Sequence, residues 1–435
     1  MERFALSRMK EWKENENRKP LIIRGARQVG KTWIMKTFGQ QYFEKTAYVN
    51  FDNNARMKQV FEGDLDIERL VLAISAETGV SIEAENTLII FDEIQEVPKA
   101  LTSLKYFHEN APQYAIVAAG SLLGVALHQG TSFPVGKLDF LDLYPLNFRE
   151  FLCAMGEKQF VSMLDSCDTQ MVTVFKTKYI ERLREYYFVG GMPEVVKDFS
   201  EKKDYNRVRV IQKNLINYYQ QDFSKHAEIK LVPRLNLVWN SIPMQLAKEN
   251  KKYIYGQVRE GSRAKDFELA IQWLLDCGLI HKVQRIQKPD LPLKAYIDFD
   301  AFKLFLVDIG LLIAMTDLDA KVIIEGNKIF TEFNGSLTEQ YILQQLISDV
   351  GVIPYYYSTQ NSKGEIDFLV QGKTSVIPIE VKAEENLKAK SLKAFCEKYQ
   401  PSYAVRTSMS DYREQDWMTN IPLYAIKWIE NYVNQ

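Results

Sequence analysis

The sequence contains few of the residues that form metal clusters or disulfide frameworks. Only four cysteines and four histidines occur in 435 residues. The cysteines lie far apart and the histidines are equally scattered, so neither set has the spacing of a zinc site. This excludes a disulfide-stapled secreted domain and predicts reduced thiols in a cytoplasmic protein.

Long apolar runs and charge of one sign are also missing. No apolar run approaches the ~18 residues needed to cross a bilayer, since the best candidate, residues 304–315, contains Asp308 and Gly310. The charged N-terminal segment lacks the apolar centre of a secretion signal. The 55 basic and 56 acidic residues nearly cancel, which argues against a strongly basic coat for nucleic acid. We therefore expect about two to four globular domains and no association with a membrane.

A complete phosphate-binding loop of the form G-x-x-x-x-G-K-T is present at residues 25–32. A short apolar strand precedes it and a helical segment follows it. The glycines let successive backbone N–H groups point at phosphate oxygens, and the helix N-terminus adds a favourable dipole. Lys31 can reach the β- and γ-phosphates, and Thr32 can hold Mg²⁺. The predicted nucleotide site consists of Gly25, Ala26, Arg27, Gln28, Val29, Gly30, Lys31, Thr32 and Trp33.

The strand at residues 87–93 is apolar until it ends in two adjacent carboxylates, Asp92 and Glu93. The C-terminal end of a central parallel strand opens into the crevice where ligands bind. Asp92 is predicted to hold Mg²⁺ through water, and Glu93 to accept a proton from the water that attacks the γ-phosphate. The alternative for both residues is an exposed acidic turn after a core strand. Ser121, which follows the next strand, is either a sensor of the γ-phosphate or the N-cap of a helix.

The order of these motifs resembles the additional-strand, catalytic-glutamate ATPases. More narrowly, the chain resembles a bacterial and archaeal family of AAA-type ATPases, through the segments GARQVGKT, IIFDEIQ, AAGSLLG, YPLNFREFL and GGMPE. The resemblance covers essentially the whole chain and implies ATP with Mg²⁺ rather than a guanine nucleotide. It also implies a C-terminal domain of unknown function. Related members often carry an arginine near the position of Lys137, so the arginine finger is unassigned, with Arg149 and Arg182 as unsupported candidates.

The middle of the chain allows two interpretations in each of its parts. Residues 156–232 are helical in pattern, which fits either a lid that closes over the nucleotide or a plain helical bundle. Residues 233–330 contain two predicted helices and the first strand of a hairpin, as in a winged-helix domain. Such a domain either binds nucleic acid or serves only as a packing module. The basic residues that would approach nucleic acid are Arg259, Arg263 and Lys265.

The C-terminal segment places charged residues inside apolar strands. Asp367 interrupts one predicted strand, and Glu380 and Lys382 share one face of the next because side chains alternate with a period of two. Glu339 lies on the preceding helix. Carboxylates on neighbouring strands can hold a divalent metal, and an adjacent lysine can position water beside a phosphodiester.

These residues, in the order helix–strand–strand–strand–helix, resemble the PD-(D/E)xK nuclease core. Pro378 departs from that pattern, because proline cannot donate a hydrogen bond inside a central strand. It would mark a bulge or the first residue of the strand. The alternative is a half-exposed hairpin whose charges face water.

The sequence therefore predicts an α/β protein in four parts. These are a P-loop ATPase core with a mostly parallel sheet (1–155), a helical lid (156–232), a winged-helix-like domain (233–330) and a PD-(D/E)xK-like domain (331–435). The predicted function is Mg²⁺-dependent ATP hydrolysis coupled to remodelling of DNA, RNA or a protein partner, in a monomer or an oligomer. The alternatives are a nucleotide-gated scaffold and a metal-dependent nuclease that ATP licenses.

Overall fold

The protein is a chain of two compact units in a computed structural model. The structure describes residues 2–120, 136–248, 251–325, 331–359, 364–383 and 389–435, with residues 331–333 described through their backbone alone. The N-terminal unit comprises Glu2–Tyr144 and Asp276–Gly278, and the C-terminal unit comprises Pro145–Leu275 and Leu279–Gln435. Within the described ranges, no helix combines the length and the apolar character that a bilayer crossing requires.

The N-terminal unit is built on a five-stranded sheet in which all neighbouring strands are parallel. Its strands are β1 (Leu21–Arg24), β2 (Lys45–Asn50), β3 (Thr87–Asp92), β4 (Ala115–Ala119) and β5 (Asp139–Asp142). They lie in the order β2-β3-β4-β1-β5. The helices are Ala5–Glu14, Lys31–Tyr42, Ala55–Glu62, Ile67–Thr78 and Pro98–Asn110. The predicted parallel α/β core is confirmed.

The sequence explains why β3 is buried within this unit. All six of its residues are buried, as a strand covered on both faces requires. The rings of Phe51, Phe61 and Phe91 meet edge to face, with centroids 5.4 to 5.7 Å apart. Such packing adds to the free energy gained by removing three large apolar side chains from water. The end of β3 is therefore held by a rigid core.

The C-terminal unit begins with helices and ends with a mixed sheet. The helices before the first strand are Phe148–Ala154, Lys158–Asp165, Thr169–Val174, Lys176–Val189, Pro193–Lys202, Tyr205–His226, Val232–Leu246, Tyr255–Val258 and Ala264–Asp276. Later helices are Ile309–Met315, Ala320–Ile324, Thr331–Gln345, Lys390–Tyr399 and Glu430–Val433. The strands are β6 (Ile280–Ile286), β7 (Ile297–Leu306), β8 (Tyr355–Ser358), β9 (Glu365–Gln371), β10 (Val376–Val381), β11 (Val405–Ser408), β12 (Arg413–Gln415) and β13 (Met418–Pro422).

One eight-stranded sheet includes strands from both segments that were predicted as separate domains. Its order is β12-β13-β11-β10-β9-β8-β6-β7. The antiparallel hairpin β6–β7 continues into the later strands because β6 pairs in parallel with β8. The order of elements from the helix Thr331–Gln345 to the helix Lys390–Tyr399 is the predicted one. The division into four domains stays a prediction.

Pro378 is the third residue of β10, not its first. It pairs with Leu369 of the antiparallel neighbour β9. On the other side, pairing with β11 begins only at Ile379. Pro378 therefore lies outside the ladder between β10 and β11, which is compatible with proline in a strand.

A buried aspartate fixes the Gly-Gly turn of the C-terminal unit. Asp308 accepts hydrogen bonds from the backbone N–H of Gly191 (2.6 Å) and of Leu311 (3.1 Å). The side-chain amide of Gln344 donates to the same carboxylate at 3.3 Å. Burial raises the pKa of Asp308 to about 6. Gly190 leaves room for this carboxylate, since a Cβ there would stand 2.2 Å from Asp308 Oδ1.

We predict that Gly190→Ala strongly destabilises the C-terminal unit. Gly190 has φ 73° and ψ −167°, a backbone region that is essentially restricted to glycine. The strain and the clash with Asp308 together should lower the free energy of unfolding by about 3 kcal/mol or more. Gly156→Ala is the matched control, because Gly156 also has a positive φ (83°) but nothing lies within 4 Å of its added Cβ. Chemical unfolding of both variants measures the difference, and equal losses would contradict the role given to Asp308.

Candidate functional site

The phosphate-binding loop leaves β1 with a conformation that needs its glycines. Gly25 and Gly30 have φ of 148° and 95°. A Cβ on Gly25 would stand 2.1 Å from the carbonyl oxygen of Leu143, so no other residue fits there. Gly30 is the N-cap of the helix Lys31–Tyr42. The loop therefore ends at a helix N-terminus, where backbone N–H groups can receive phosphate.

Lys31 is buried and makes hydrogen bonds to its own loop. Its Nζ donates to the carbonyl oxygens of Gly25 (2.9 Å) and Ala26 (2.8 Å). Burial lowers the pKa of the Lys31 ammonium to about 8, although the carboxylates of Glu93 and Asp92 favour its charge. A buried ammonium group whose nearest acceptors are neutral is well suited to attract an anion.

The loop and the end of β3 meet through a direct hydrogen bond. Thr32 Oγ1 donates to Asp92 Oδ2 at 2.7 Å, and the carboxylate is only 4% exposed. Tyr48, on β2, donates its hydroxyl to the same oxygen at 2.9 Å. Burial and the nearby Asp92 raise the pKa of Tyr48, so its hydroxyl remains protonated. The sequence-predicted Mg²⁺ residues are therefore brought together.

A hydroxyl and a carboxylate fit the chemistry of Mg²⁺. This ion prefers oxygen ligands and commonly binds through one or two carboxylates together with substrate phosphates. Thr32 and Asp92 supply two such oxygens on one side of the loop. The donor set thus matches the ion that the sequence predicts.

Glu93 occupies a left-handed turn immediately after β3, with φ 49°. The side-chain amide of Gln95 donates to Glu93 Oε2 at 2.7 Å, which orients a carboxylate that stays partly exposed. A carboxylate held at a strand end, open to solvent and beside the phosphate loop, can accept a proton from water.

The remaining predicted residues of this site differ in how far the structure describes them. Arg27 is partly exposed and Gln28 is exposed on the loop, and the Trp33 indole is 42% exposed on the first helical turn. β4 ends at Ala119. Ser121 lies outside the described residues, so its role as sensor or N-cap stays a prediction.

Two residues at the site were not anticipated from the sequence. Arg3 is 5% exposed and donates from its guanidinium to the carbonyl oxygens of Val29 (2.9 Å) and Tyr144 (2.5 Å). It thereby supports the loop from the segment before the first helix. Tyr48 is the other, and its signal is an aromatic hydroxyl between the apolar residues Ala47 and Val49 of a strand. Arg3 has no comparable signal, because only the fold brings it to Val29.

The predicted metal residues of the C-terminal segment make pairwise contacts with one another and with backbone groups. Glu339 and Asp367 lie together, and burial followed by the charge of Glu339 raises the pKa of Asp367 to about 8. Glu380 instead pairs with Lys382 at 2.6 Å and accepts from the backbone N–H of Leu392 at 3.0 Å. In the part of the chain that the structure describes, no group of three or more His, Cys, Asp or Glu side chains could hold a metal ion.

Both candidate arginine fingers are held by carboxylates of the C-terminal unit. Arg149 lies 2.8 Å from Asp349, and Arg182 binds Glu157 and Glu185 at 2.7 Å each. The side chain of Arg149 is only 11% exposed. These contacts give both arginines structural roles within their own unit.

Three family models match the chain in consecutive segments. Residues 17–152 match a model described as an AAA domain. Residues 180–322 and 334–426 match two models described as domains of unknown function, DUF8612 and DUF4143. No curated protein matches the chain. The N-terminal unit therefore contains an AAA-type P-loop ATPase domain, as the sequence predicted.

Several solved structures are similar over most of the chain at low identity. A Walker-type ATPase of Pyrococcus abyssi is 15% identical with a TM-score of 0.44, covering 72% of this chain and 95% of its own. The Orc1 protein of Aeropyrum pernix, in complex with DNA, is 13% identical with a TM-score of 0.27, covering 72% and 91%. Cdc6p of Pyrobaculum aerophilum is 10% identical with a TM-score of 0.24, covering 74% and 93%. All three TM-scores lie below 0.5, so these similarities do not indicate the function of this chain.

The lowered pKa of Lys31 predicts that the affinity for ATP depends on pH. With a pKa of about 8, the ammonium group is charged below that pH and loses its proton above it. Phosphates favour the charged form, so ATP binding should take up protons above about pH 8, and its affinity should fall by roughly tenfold for each further pH unit. Calorimetric titration at about pH 7.5 and about pH 9.5, in buffers of different ionisation enthalpy, measures both effects. Any binding that remains in Lys31→Arg should not depend on pH in this range, because a guanidinium does not titrate there; an unchanged wild-type affinity would contradict the prediction.

Proposed function

We propose that the N-terminal unit binds ATP with Mg²⁺ and hydrolyses it. The observation that carries this proposal is the 2.7 Å hydrogen bond between Thr32 and Asp92, which brings the phosphate loop to the acidic end of β3. Glu93 follows Asp92 directly, so a candidate base stands beside the candidate metal residues. The AAA-domain match over residues 17–152 supports the same activity.

Roles for Lys31, Thr32, Asp92 and Glu93 are supported by their contacts. Loop N–H groups and the Lys31 ammonium hold the phosphates, and Thr32 and Asp92 hold Mg²⁺. Mg²⁺ bound with ATP supplies positive charge beside the phosphate oxygens. Glu93, oriented by Gln95, positions the attacking water and accepts its proton. Ser121 remains proposed as the γ-phosphate sensor, and Trp33 as part of the nucleotide site.

We further propose that turnover remodels nucleic acid or a protein partner through the C-terminal unit. Arg259, Arg263 and Lys265 are exposed at the start of the helix Ala264–Asp276, which the hairpin β6–β7 follows. A basic helix start followed by a hairpin supports a winged-helix-like contact with DNA or RNA phosphates. A nucleotide-gated scaffold and an ATP-licensed nuclease are the competing functions.

Glu93→Gln separates an ATPase from a nucleotide-gated scaffold. The variant keeps the size and hydrogen-bonding capacity of the side chain but removes the base, so turnover should fall by about 100-fold or more while ATP binding stays within a few-fold. Glu96→Gln is the matched control, since Glu96 is an exposed acidic residue of the same turn and should retain wild-type turnover. Steady-state phosphate release and calorimetric ATP binding measure the two quantities. Equal turnover of Glu93→Gln and wild type would show that Glu93 is not the base.

If the protein acts on nucleic acid, its affinity for DNA or RNA should depend on salt. It should also depend on the basic residues at the start of the helix Ala264–Asp276. Wild type should bind DNA or RNA at about 50 mM salt and lose most of this affinity by about 200 mM, because counterions are released from phosphates. Replacing Arg259, Arg263 and Lys265 by alanine should weaken binding about tenfold or more. The control replaces the exposed lysines Lys10, Lys178 and Lys202 by alanine. Fluorescence anisotropy with and without ATP measures each affinity, and no binding at low salt would eliminate this coupling without affecting the ATPase proposal.

A further inference from the structure

Five charged side chains meet inside the C-terminal unit, where the sequence predicts a nuclease-like metal site. They come from the loop before the helix Tyr255–Val258, from β7, from the helix Thr331–Gln345 and from β9. We call this group the carboxylate–lysine cluster; its members are Lys251, Lys303, Glu339, Glu365 and Asp367.

Both lysines of the cluster point at the predicted metal ligands. Lys303 is fully buried, and its Nζ lies 2.5 Å from Glu365 Oε1 and 3.5 Å from Glu339 Oε2. Lys251 forms a hydrogen-bonded ion pair with Glu339 Oε1. The ring of Tyr356 covers Lys303 Nζ at 4.8 Å. Glu339 therefore has an ammonium group beside each carboxylate oxygen.

Two ammonium groups supply the charge that a divalent cation would bring. A buried carboxylate needs a compensating charge, and Glu339, at 5% exposure, already has two. A divalent ion placed next to Glu339 would face the positive charges of both lysines at short range, in surroundings that screen charge poorly. The long side chain of Lys303 cannot move to water, because none of it is exposed.

The other predicted ligands also have hydrogen-bond partners within the fold. Asp367 Oδ2 accepts a hydrogen bond from the backbone N–H of Val381 at 2.7 Å. Both oxygens of Glu380 are bonded, one to Lys382 and the other to the backbone N–H of Leu392. Metal-dependent cleavage requires carboxylates that are open to an ion. Here Glu339 and Asp367 are hydrogen-bonded to each other, and Glu339 is also paired with both lysines.

We infer that Lys251 and Lys303 occupy the cation position of the nuclease-like site, so that the C-terminal unit holds no divalent metal there and does not cut nucleic acid. The cluster instead joins segments that match different family models. Lys251 and Lys303 belong to the segment that matches DUF8612, whereas Glu339, Glu365 and Asp367 belong to the segment that matches DUF4143. The lysines of the first segment and the carboxylates of the second neutralise each other only when both segments are folded together. The two matched segments thus form one folding unit.

Titration with Mn²⁺ tests this inference on the full chain. Asp92→Asn is used as the background, because it removes the candidate ion ligand of the nucleotide site, and free Mn²⁺ is followed by electron paramagnetic resonance. We expect no bound Mn²⁺ at concentrations up to about 1 mM, a range in which weak protein sites for hard cations begin to fill. Lys251→Met in the same background should create one binding site, and this site should disappear when Glu339→Gln is added. Lys251 is the preferred position because, unlike Lys303, its side chain is 12% exposed and its loss is less damaging to the core.

Two results would overturn the inference. One is stoichiometric Mn²⁺ binding by the Asp92→Asn protein that is lost in Glu339→Gln. The other is cleavage of plasmid or single-stranded DNA by the wild type with Mg²⁺ or Mn²⁺ that is abolished in Asp367→Ala. Absence of both, together with a gain of Mn²⁺ binding in Lys251→Met, supports it. Neither measurement depends on ATP turnover. A failure of this inference can therefore be distinguished from a failure of the proposed ATPase function.

Discussion

The register of three parallel strands determines where the chemistry of this protein takes place. β4 lies between β1 and β3, and it pairs Ala118 with Ile22 on one side and with Phe91 on the other. Ile22 and Phe91 are therefore level in the sheet. After β1, the phosphate loop begins at Gly25, three residues after Ile22. In β3, Asp92 directly follows Phe91. The 2.7 Å contact between Thr32 and Asp92 is a consequence of this alignment. A slip of one residue in either pairing would turn Asp92 to the other face of the sheet.

The sequence was informative where the signal is local. The phosphate loop, the acidic end of β3 and the order of elements after residue 331 each depend on residues close together in the chain, and the structure has them in the predicted order. Contacts over long separations could not be predicted, because nothing in the sequence near Arg3 points to Val29, nor anything near Tyr48 to Asp92. The pairing of β6 with β8 is of the same kind. A strand pattern predicts which face is apolar but does not identify the neighbouring strand.

The contacts of the buried polar residue at the Gly-Gly turn could not be predicted from the sequence either. From the sequence, Gly190 and Gly191 are only an interruption between two helices. In the fold, Gly191 donates its N–H to Asp308, and Gly190 leaves the space that this carboxylate fills. Asp308 itself lies in an apolar segment of the sequence. Because charged residues are mostly exposed, the sequence alone suggests that its side chain faces solvent. A fully hydrogen-bonded polar residue inside a core specifies one arrangement of the elements around it, because each alternative would leave a buried charge without partners.

Two buried lysines in this chain differ in their hydrogen-bond partners, and this difference indicates their roles. Lys31 and Lys303 are both removed from water, yet burial lowers the pKa of Lys31, whereas the carboxylates beside Lys303 overcome burial and raise its pKa. The hydrogen bonds of Lys31 go to neutral carbonyl oxygens, and the carboxylates of Glu93 and Asp92 favour its charge without overcoming burial. Lys303 has carboxylate partners within the fold and needs no ligand. A buried cation with neutral acceptors therefore indicates a binding site for an anion, and one with carboxylate partners indicates a closed structural contact. This difference assigns ligand binding to the N-terminal unit and cohesion to the cluster in the C-terminal unit.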